Sequence, residues 1–179
     1  MTNTYIPQYF LIEELLPPPI FLPVQFRTEF YRQSQALFRL FDYRVLITLD
    51  RLRKRYGLCV VNNWHMYDAS SWNDLSAHMF RFAGWRPVNC EDGAMLSEHK
   101  FFRAMDCKFR NVTPNEIWLE MQQNVNAPEF EYIQRIEAFD GMIWFHFDMG
   151  HHDRYGEAVK VIGGKTNSAG LPEGIERAV

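Results

Sequence analysis

The stretch Ile133-Gln134-Arg135-Ile136-Glu137-Ala138-Phe139-Asp140-Gly141-Met142-Ile143-Trp144-Phe145-His146-Phe147-Asp148-Met149 decides how the fold is read. Residues 133–139 and 142–149 both have strand character, and Asp140-Gly141 between them is a two-residue turn signal. The spacing therefore predicts an antiparallel hairpin that sets Glu137 opposite a residue near Ile143 or Trp144. Alternation with a period of two places His146 and Asp148 on one face of the second strand.

Upstream of the hairpin, Thr113-Pro114-Asn115-Glu116 predicts a helix start. Thr113 can cap, Pro114 suits the first helical position, and Glu116 completes a capping box, with the helix running to about Asn124. Further back, Phe38, Phe41, Val45, Leu49, Leu52 and Tyr56 recur at steps of three and four, the period of an amphipathic helix. Residues 28–56 are expected to form one long helix, or two broken near Asp42. Gly57 ends this region after the basic residues Arg51, Arg53, Lys54 and Arg55, as a helix C-terminus prefers. Residues 58–61 read as the first strand, and 65–95, with Gly84, Pro87 and Gly93, as a long functional loop.

Residues 1–27 interleave Pro7, Pro17, Pro18, Pro19 and Pro23 with large apolar side chains. Such a segment cannot be a long helix and is too apolar for a linker. It is expected to be an arm laid across its own domain or a neighbouring subunit. Residues 28–160 are expected to form the domain and 161–179 a flexible tail. The expected architecture is α+β, with helices packed on a small, mostly antiparallel sheet.

The chain has 179 residues, 47% hydrophobic and 23% charged, the balance of one soluble domain able to bury a core. Its 19 Lys and Arg against 22 Asp and Glu leave a formal charge of -3, which provides no strong basic field for nucleic acid. Apolar runs stop short of the roughly 18 residues a membrane span needs, and no basic-then-apolar leader pattern opens the chain. Cys59, Cys90 and Cys107 lack CxxC spacing and read as reduced thiols. The 16% aromatic content fits either a heavily packed core or surfaces for assembly.

Three clusters carry candidate chemistry: residues 97–106 with His99 and Asp106, residues 144–148 with His146 and Asp148, and Gly84-Trp85-Arg86-Pro87. Taken singly, each has a plainer role, as a hydrogen-bonded imidazole, a turn-anchoring carboxylate or a surface ion pair. Together, two histidines and one aspartate with a fourth position open suit a catalytic zinc. Cys107, next to Asp106 on a strand, is expected to point to the opposite face as a core thiol. His151-His152-Asp153 reads as a solvated loop, with an adventitious metal site as the alternative. Trp64, Trp72, Trp85 and Trp144 fit either packing or a ligand cleft.

The run from Gly93 through Ser97 and His99 to Asp106 resembles the Ser-x-His-x-x-Gly-x-Ala-x-Asp signature of the D-Ala-D-Ala carboxypeptidase (VanY-like, hedgehog-type) zinc peptidases. Ser97, His99, Ala104 and Asp106 fall at the matching offsets, and residues 144–148 resemble that family's Trp-x-His-x-Asp strand. Residues 9–15 are similar to its N-terminal Phe-x-x-x-Glu-Leu segment, so the resemblance runs over about residues 5–150. It implies that His99, Asp106 and His146 hold Zn2+, that Arg86 faces substrate, and that Ser97 hydrogen-bonds substrate or a ligand. Arginine suits that task because its planar fork binds a peptide carboxylate bidentately.

The resemblance further implies hydrolysis of a peptidoglycan stem or cross-bridge peptide, in a bacteriophage lysis or virion-associated protein acting in the host cytoplasm or the virion. The chain departs from the pattern at two positions. Phe102 stands where the signature has Gly, and Ile143 stands three residues before the last histidine, where many members carry the catalytic acid. Glu137, Asp140 and Asp148 remain as candidates for the base, with Glu137 preferred and Asp148 equally suited to orienting an imidazole. The alternative is a structural or assembly protein that keeps the fold without the chemistry, binding virion proteins through its N-terminal arm.

Overall fold

The computed structural model describes residues 4–16, 37–62, 82–91, 93–150, 158–163 and 170–177. Its helices are α1 (Ile12–Leu15), α2 (Tyr43–Tyr56) and α3 (Pro114–Gln123). Its strands are β1 (Cys59–Val60), β2 (Ala104–Phe109), β3 (Arg135–Glu137), β4 (Phe145–Asp148), β5 (Ala158–Ile162) and β6 (Gly174–Glu176). The strands form one sheet in the order β1-β2-β4-β3-β5-β6. All neighbours are antiparallel except β3 and β5, which run parallel. The architecture is α+β, as the sequence predicts.

Local chemistry accounts for the helix ends. The Asp42 carboxylate accepts from the Arg44 backbone N–H at 3.0 Å and opens α2, so the region breaks at Asp42. Gly57, with φ +82°, closes it after Arg53, Lys54 and Arg55. At α3, Thr113 Oγ1 accepts from Glu116 N–H at 3.3 Å while the Glu116 carboxylate accepts from Thr113 N–H at 2.7 Å. This is the reciprocal cap expected from the sequence, and the helix ends at Asn124.

The hairpin forms, but its register corrects the expectation. Glu137 pairs with His146, not with a residue near Ile143 or Trp144, and Arg135 pairs with Asp148. The tight mirror-image turn needs positive φ at both central residues. Gly141 adopts φ +77°, but Asp140 is not among the positive-φ residues. The turn closed by Met142 N–H to the Phe139 carbonyl at 3.2 Å is therefore of another kind, and the connection spans 138–144. Relative to Trp144 the shift is two residues, an even number, so every side chain keeps its face.

That parity divides the sheet into two faces. Met105 of β2, Phe147 of β4, Ile136 of β3 and Val161 of β5 lie in one cross-strand row and are buried in the core with Val45, Leu46 and Leu49 of α2 and Ile117, Trp118 and Met121 of α3. Cys107 shares the apolar face, a buried thiol as expected. The other face carries Asp106, His146, Asp148, Arg135 and Glu137.

Residues 4–16 of the arm lie on their own domain: Phe10, Ile12, Leu15 and Leu16 are core residues. Asp50 of α2 anchors them, accepting from Tyr5 Oη–H at 2.8 Å and from the backbone N–H groups of Gln8 and Tyr9 at 2.7 and 3.2 Å. Burial and the bond to Asp50 push the Tyr5 phenol up to about 12. Residues 17–36 lie outside the described residues, as do His151-His152-Asp153, Trp64, Trp72 and most of the 65–95 loop.

The expected boundary at residue 160 falls within β5, and the stretch expected to be a flexible tail contains β6, with Ile175 buried. The alternation Gly174-Ile175-Glu176 is too short for sequence periodicity to separate from a tail; pairing with β5 is what holds it. Among the described residues no helix is long and apolar enough to cross a membrane.

Replacing Asp50 with Ala removes the shared acceptor of three part-buried hydrogen bonds. It is expected to lower unfolding stability by about 2–3 kcal/mol in urea titration, with new protease cleavage near residue 10. Unchanged stability would show that the arm is held by its apolar residues alone.

Candidate metal centre

β2 and β4 deliver two of the three candidate ligands by register, since Asp106 and His146 are directly paired. The third, His99, comes from a 3-10 turn over Glu98–Phe101 that leads into β2. The turn exits through Phe102 in the left-handed region, φ 59° and ψ 31°. A non-glycine residue there costs on the order of 1–3 kcal/mol. The ring offsets this cost by packing edge-on against Phe41 at 5.3 Å and stacking on Trp85 at 5.8 Å between centroids. Phe102 thus adopts the conformation a glycine would supply, and its carbonyl accepts from Asp42 N–H at the start of α2.

His99 Nε2, His146 Nδ1 and Asp106 Oδ1 converge. The two nitrogens are 3.3 Å apart, His99 Nε2 is 3.4 Å from Asp106 Oδ1, and His146 Nδ1 is 2.7 Å from it. Tetrahedral zinc ligands stand about 3.3–3.5 Å apart, from bond lengths of roughly 2.0–2.2 Å. Two of the three separations meet that spacing, and the third is a hydrogen bond that must open by about 0.6–0.8 Å to admit a cation. Two imidazoles and a carboxylate are a donor set that suits zinc and neighbouring divalent transition metals. The group His99, Asp106 and His146 can hold a metal ion. Both histidines are buried while the Asp106 side chain keeps 18% exposure, so the group opens to solvent on the Asp106 side.

Each imidazole is oriented from behind. His99 Nδ1–H donates to the Gly84 carbonyl at 2.8 Å, which leaves Nε2 to face the site. His146 Nε2–H donates to Asp148 Oδ2 at 3.3 Å, which leaves Nδ1 for a metal. Arg135 Nε donates to both Asp148 oxygens, at 2.8 and 3.0 Å, and Gly150 N–H donates to Oδ1 at 2.8 Å. Asp148 is 2% exposed and fully engaged, so it orients His146 and is badly placed to take a proton from substrate water.

Glu137 lies opposite His146 on the same face of the sheet, and no hydrogen bond or ion pair to another described residue engages its carboxylate. Ile143 is half exposed in the connection before β4. Arg86 and Ser97 are brought together beside His99: Arg86 N–H donates to the His99 carbonyl at 3.2 Å, and its Nη1 is 3.5 Å from Ser97 Oγ. Gly84 and Glu98 lie within the candidate clusters of the sequence but carry no assigned role there, and Arg135 and Gly150 lie outside them. Arg135 was legible only with the correct register, which sets it opposite Asp148.

Electrostatics match this geometry. Burial works against charge at Asp106, but the two adjacent imidazoles prevail and hold its carboxyl well below the usual range. Burial likewise disfavours a charged His146, yet its hydrogen bonds to Asp106 and Asp148, with the charges of Asp106 and Glu137, push it up to about 10. Asp148 is also held low, its burial outweighed by His146 and Arg135. Set against protein-family models, curated proteins and solved structures, the chain matches none.

A raised folded-state value means that the protonated His146 cluster contributes its full stability below about pH 6.5 and loses it as pH rises through about 10. A metal taking Nδ1 must displace that proton. Calorimetry at pH 7 in buffers of different ionisation enthalpy is expected to show about one proton released per zinc bound, with affinity rising with pH. Zinc binding without proton release would exclude His146 Nδ1 as a ligand. His99→Ala is expected to lower both metal content and the melting temperature in excess zinc, where ligand at a hundred times Kd adds about 2.7 kcal/mol.

Proposed function

We propose that this chain is a zinc-dependent peptidoglycan peptidase, cleaving stem or cross-bridge peptides as a carboxypeptidase or endopeptidase, in a bacteriophage lysis or virion-associated setting. The observation that carries the reading is the convergence of His99 Nε2, Asp106 Oδ1 and His146 Nδ1, with each imidazole fixed through its other nitrogen. The resemblance of residues 97–106 and 144–148 to the VanY-like peptidases supplies the substrate class.

Zinc held by two imidazoles and one carboxylate supplies a Lewis acid toward a carbonyl oxygen and lowers the pKa of water. Arg86 binds the peptide carboxylate with its planar fork, with Ser97 beside it as a hydrogen-bonding hydroxyl. Glu137, cross-strand from His146, accepts the proton of the attacking water and passes it to the leaving amine. Asp106 and Asp148 hold negative charge next to the histidines throughout. Residues 4–16 fold on their own domain, which suits an enzyme better than an assembly protein with a free arm.

A second reading, a retired peptidase serving as a structural virion component, is favoured by Ile143 at the position where many members of the resembled family carry the acid. One experiment separates the two: zinc content of the purified protein, measured alongside release of peptide ends from peptidoglycan with and without a chelator. About one zinc per chain and chelator-sensitive release are expected. Zinc without hydrolysis would select the structural reading. Glu137→Gln is expected to retain zinc and lower turnover by at least about a hundredfold; retained turnover would move the proton transfer to another carboxylate.

A further inference from the structure

Behind the candidate ligands lies a second row of charges, in which Arg135, Glu98 and Arg103 have no part in the proposed reaction. Arg135 of β3 is opposite Asp148 of β4 by register and donates through Nε to both of its oxygens, at 2.8 and 3.0 Å. Its Nη2 reaches 3.3 Å from Glu98 Oε1, and Glu98 Oε2 lies 3.0 Å from Arg103 Nε. Glu98 immediately precedes His99, while Asp148 bonds the ring of His146. One guanidinium therefore ties the turn that carries His99 to the strand that carries His146.

Packing shows that this contact is built in. Gly150 donates its N–H to Asp148, and a Cβ on it would fall 2.5 Å from both Arg135 Nη2 and Glu98 Oε1. The absent side chain leaves the space in which the ion pair closes. The side chains involved are 4% (Asp148), 12% (Glu98) and 21% (Arg135) exposed, so the pairing is sheltered from solvent screening.

We propose that Arg135 is a positioning residue for the metal centre: the chain Glu98–Arg135–Asp148 fixes the orientation of His146 and its distance from His99, and so sets metal affinity. The proposal rests on the metal-site reading above. Arg135 holds the buried Asp148 carboxylate in place as the acceptor for His146 Nε2–H, which directs Nδ1 at the cation. Loss of the guanidinium leaves a buried carboxylate held only by the Gly150 N–H and His146, and the imidazole is then drawn toward Asp148 instead of the metal.

The test compares wild type, Arg135→Gln and Arg135→Lys in the full chain. Zinc dissociation constants are measured by chelator competition, visible spectra are recorded with Co2+ as the probe, and the melting temperature is taken in chelator. Arg135→Gln is expected to weaken zinc binding about 10- to 100-fold and shift the Co2+ spectrum. Arg135→Lys restores charge without the fork and is expected to recover part of the affinity. A purely structural role would lower the melting temperature in chelator but leave the dissociation constant and spectrum of the folded protein unchanged, overturning the proposal while the metal site stands.

A wild-type chain that binds neither zinc nor cobalt would overturn the metal-site reading and this proposal with it. Should Arg135→Gln fail to fold by circular dichroism, Glu98→Gln, which leaves Arg135 on Asp148, decides the matter. Weaker zinc binding is expected, and wild-type affinity would overturn the coupling to His99.

Discussion

The pairing of Asp106 with His146 across β2 and β4 is the constraint on which the rest of the molecule depends. Both residues alternate with core side chains: Met105 and Cys107 flank Asp106, and Phe145 and Phe147 flank His146. Each buried phenylalanine is worth about 1.5–3 kcal/mol to the apolar face. A slip of one residue would turn these rings out and drive Asp106 and His146 into the core, at a cost of several kcal/mol per unpaired charge. The hydrophobic effect thus enforces, on one side of the sheet, a register that the other side uses to bring ligands together.

Charge on the polar face is arranged in alternating sign from the sheet to the turn. With neutral imidazoles, the carboxylates of Asp106, Asp148 and Glu98 are accompanied by the guanidinium groups of Arg135 and Arg103, and Glu137 adds further negative charge on the same face. A proton on His146 relieves part of that surplus, which is why its affinity for a proton is high. A divalent cation held by the group would relieve more of it at the same atom. Proton and metal would compete for one electrostatic role, and burial of both histidines would amplify the competition by lowering the local dielectric.

Much of this was legible in the residues because local rules governed it. The Thr113–Glu116 cap, the break at Asp42, the glycine stop at Gly57 and the opposed faces of Asp106 and Cys107 each follow from chemistry within a few positions. What was not legible depended on partners distant in sequence or on a single backbone angle. Asp140 does not take the left-handed conformation that a two-residue hairpin requires, so Glu137 pairs two residues further along β4 than Trp144 and meets His146. Nothing in Gly174-Ile175-Glu176 reveals that it will add to the edge of the sheet beside β5. Nor does Phe102 disclose that rings from Phe41 and Trp85 will hold it where glycine is the usual occupant.

Gly84 joins residues 14 and 15 of the arm to the candidate metal centre. Its carbonyl receives the His99 ring N–H, its own N–H donates to Asn62 Oδ1 at 3.3 Å, and Asn62 Nδ2 donates to the Glu14 carbonyl at 3.0 Å. A Cβ at this position would sit 2.8 Å from the Leu15 carbonyl oxygen, so the arm lies directly beneath the acceptor that aims His99. The arm can seat only on a formed α2 and a placed Asn62, since Asp50 holds residues 5–9 and Asn62 holds the Glu14 carbonyl. An undocked arm would therefore leave the Gly84 carbonyl unsupported and His99 without a fixed bearing.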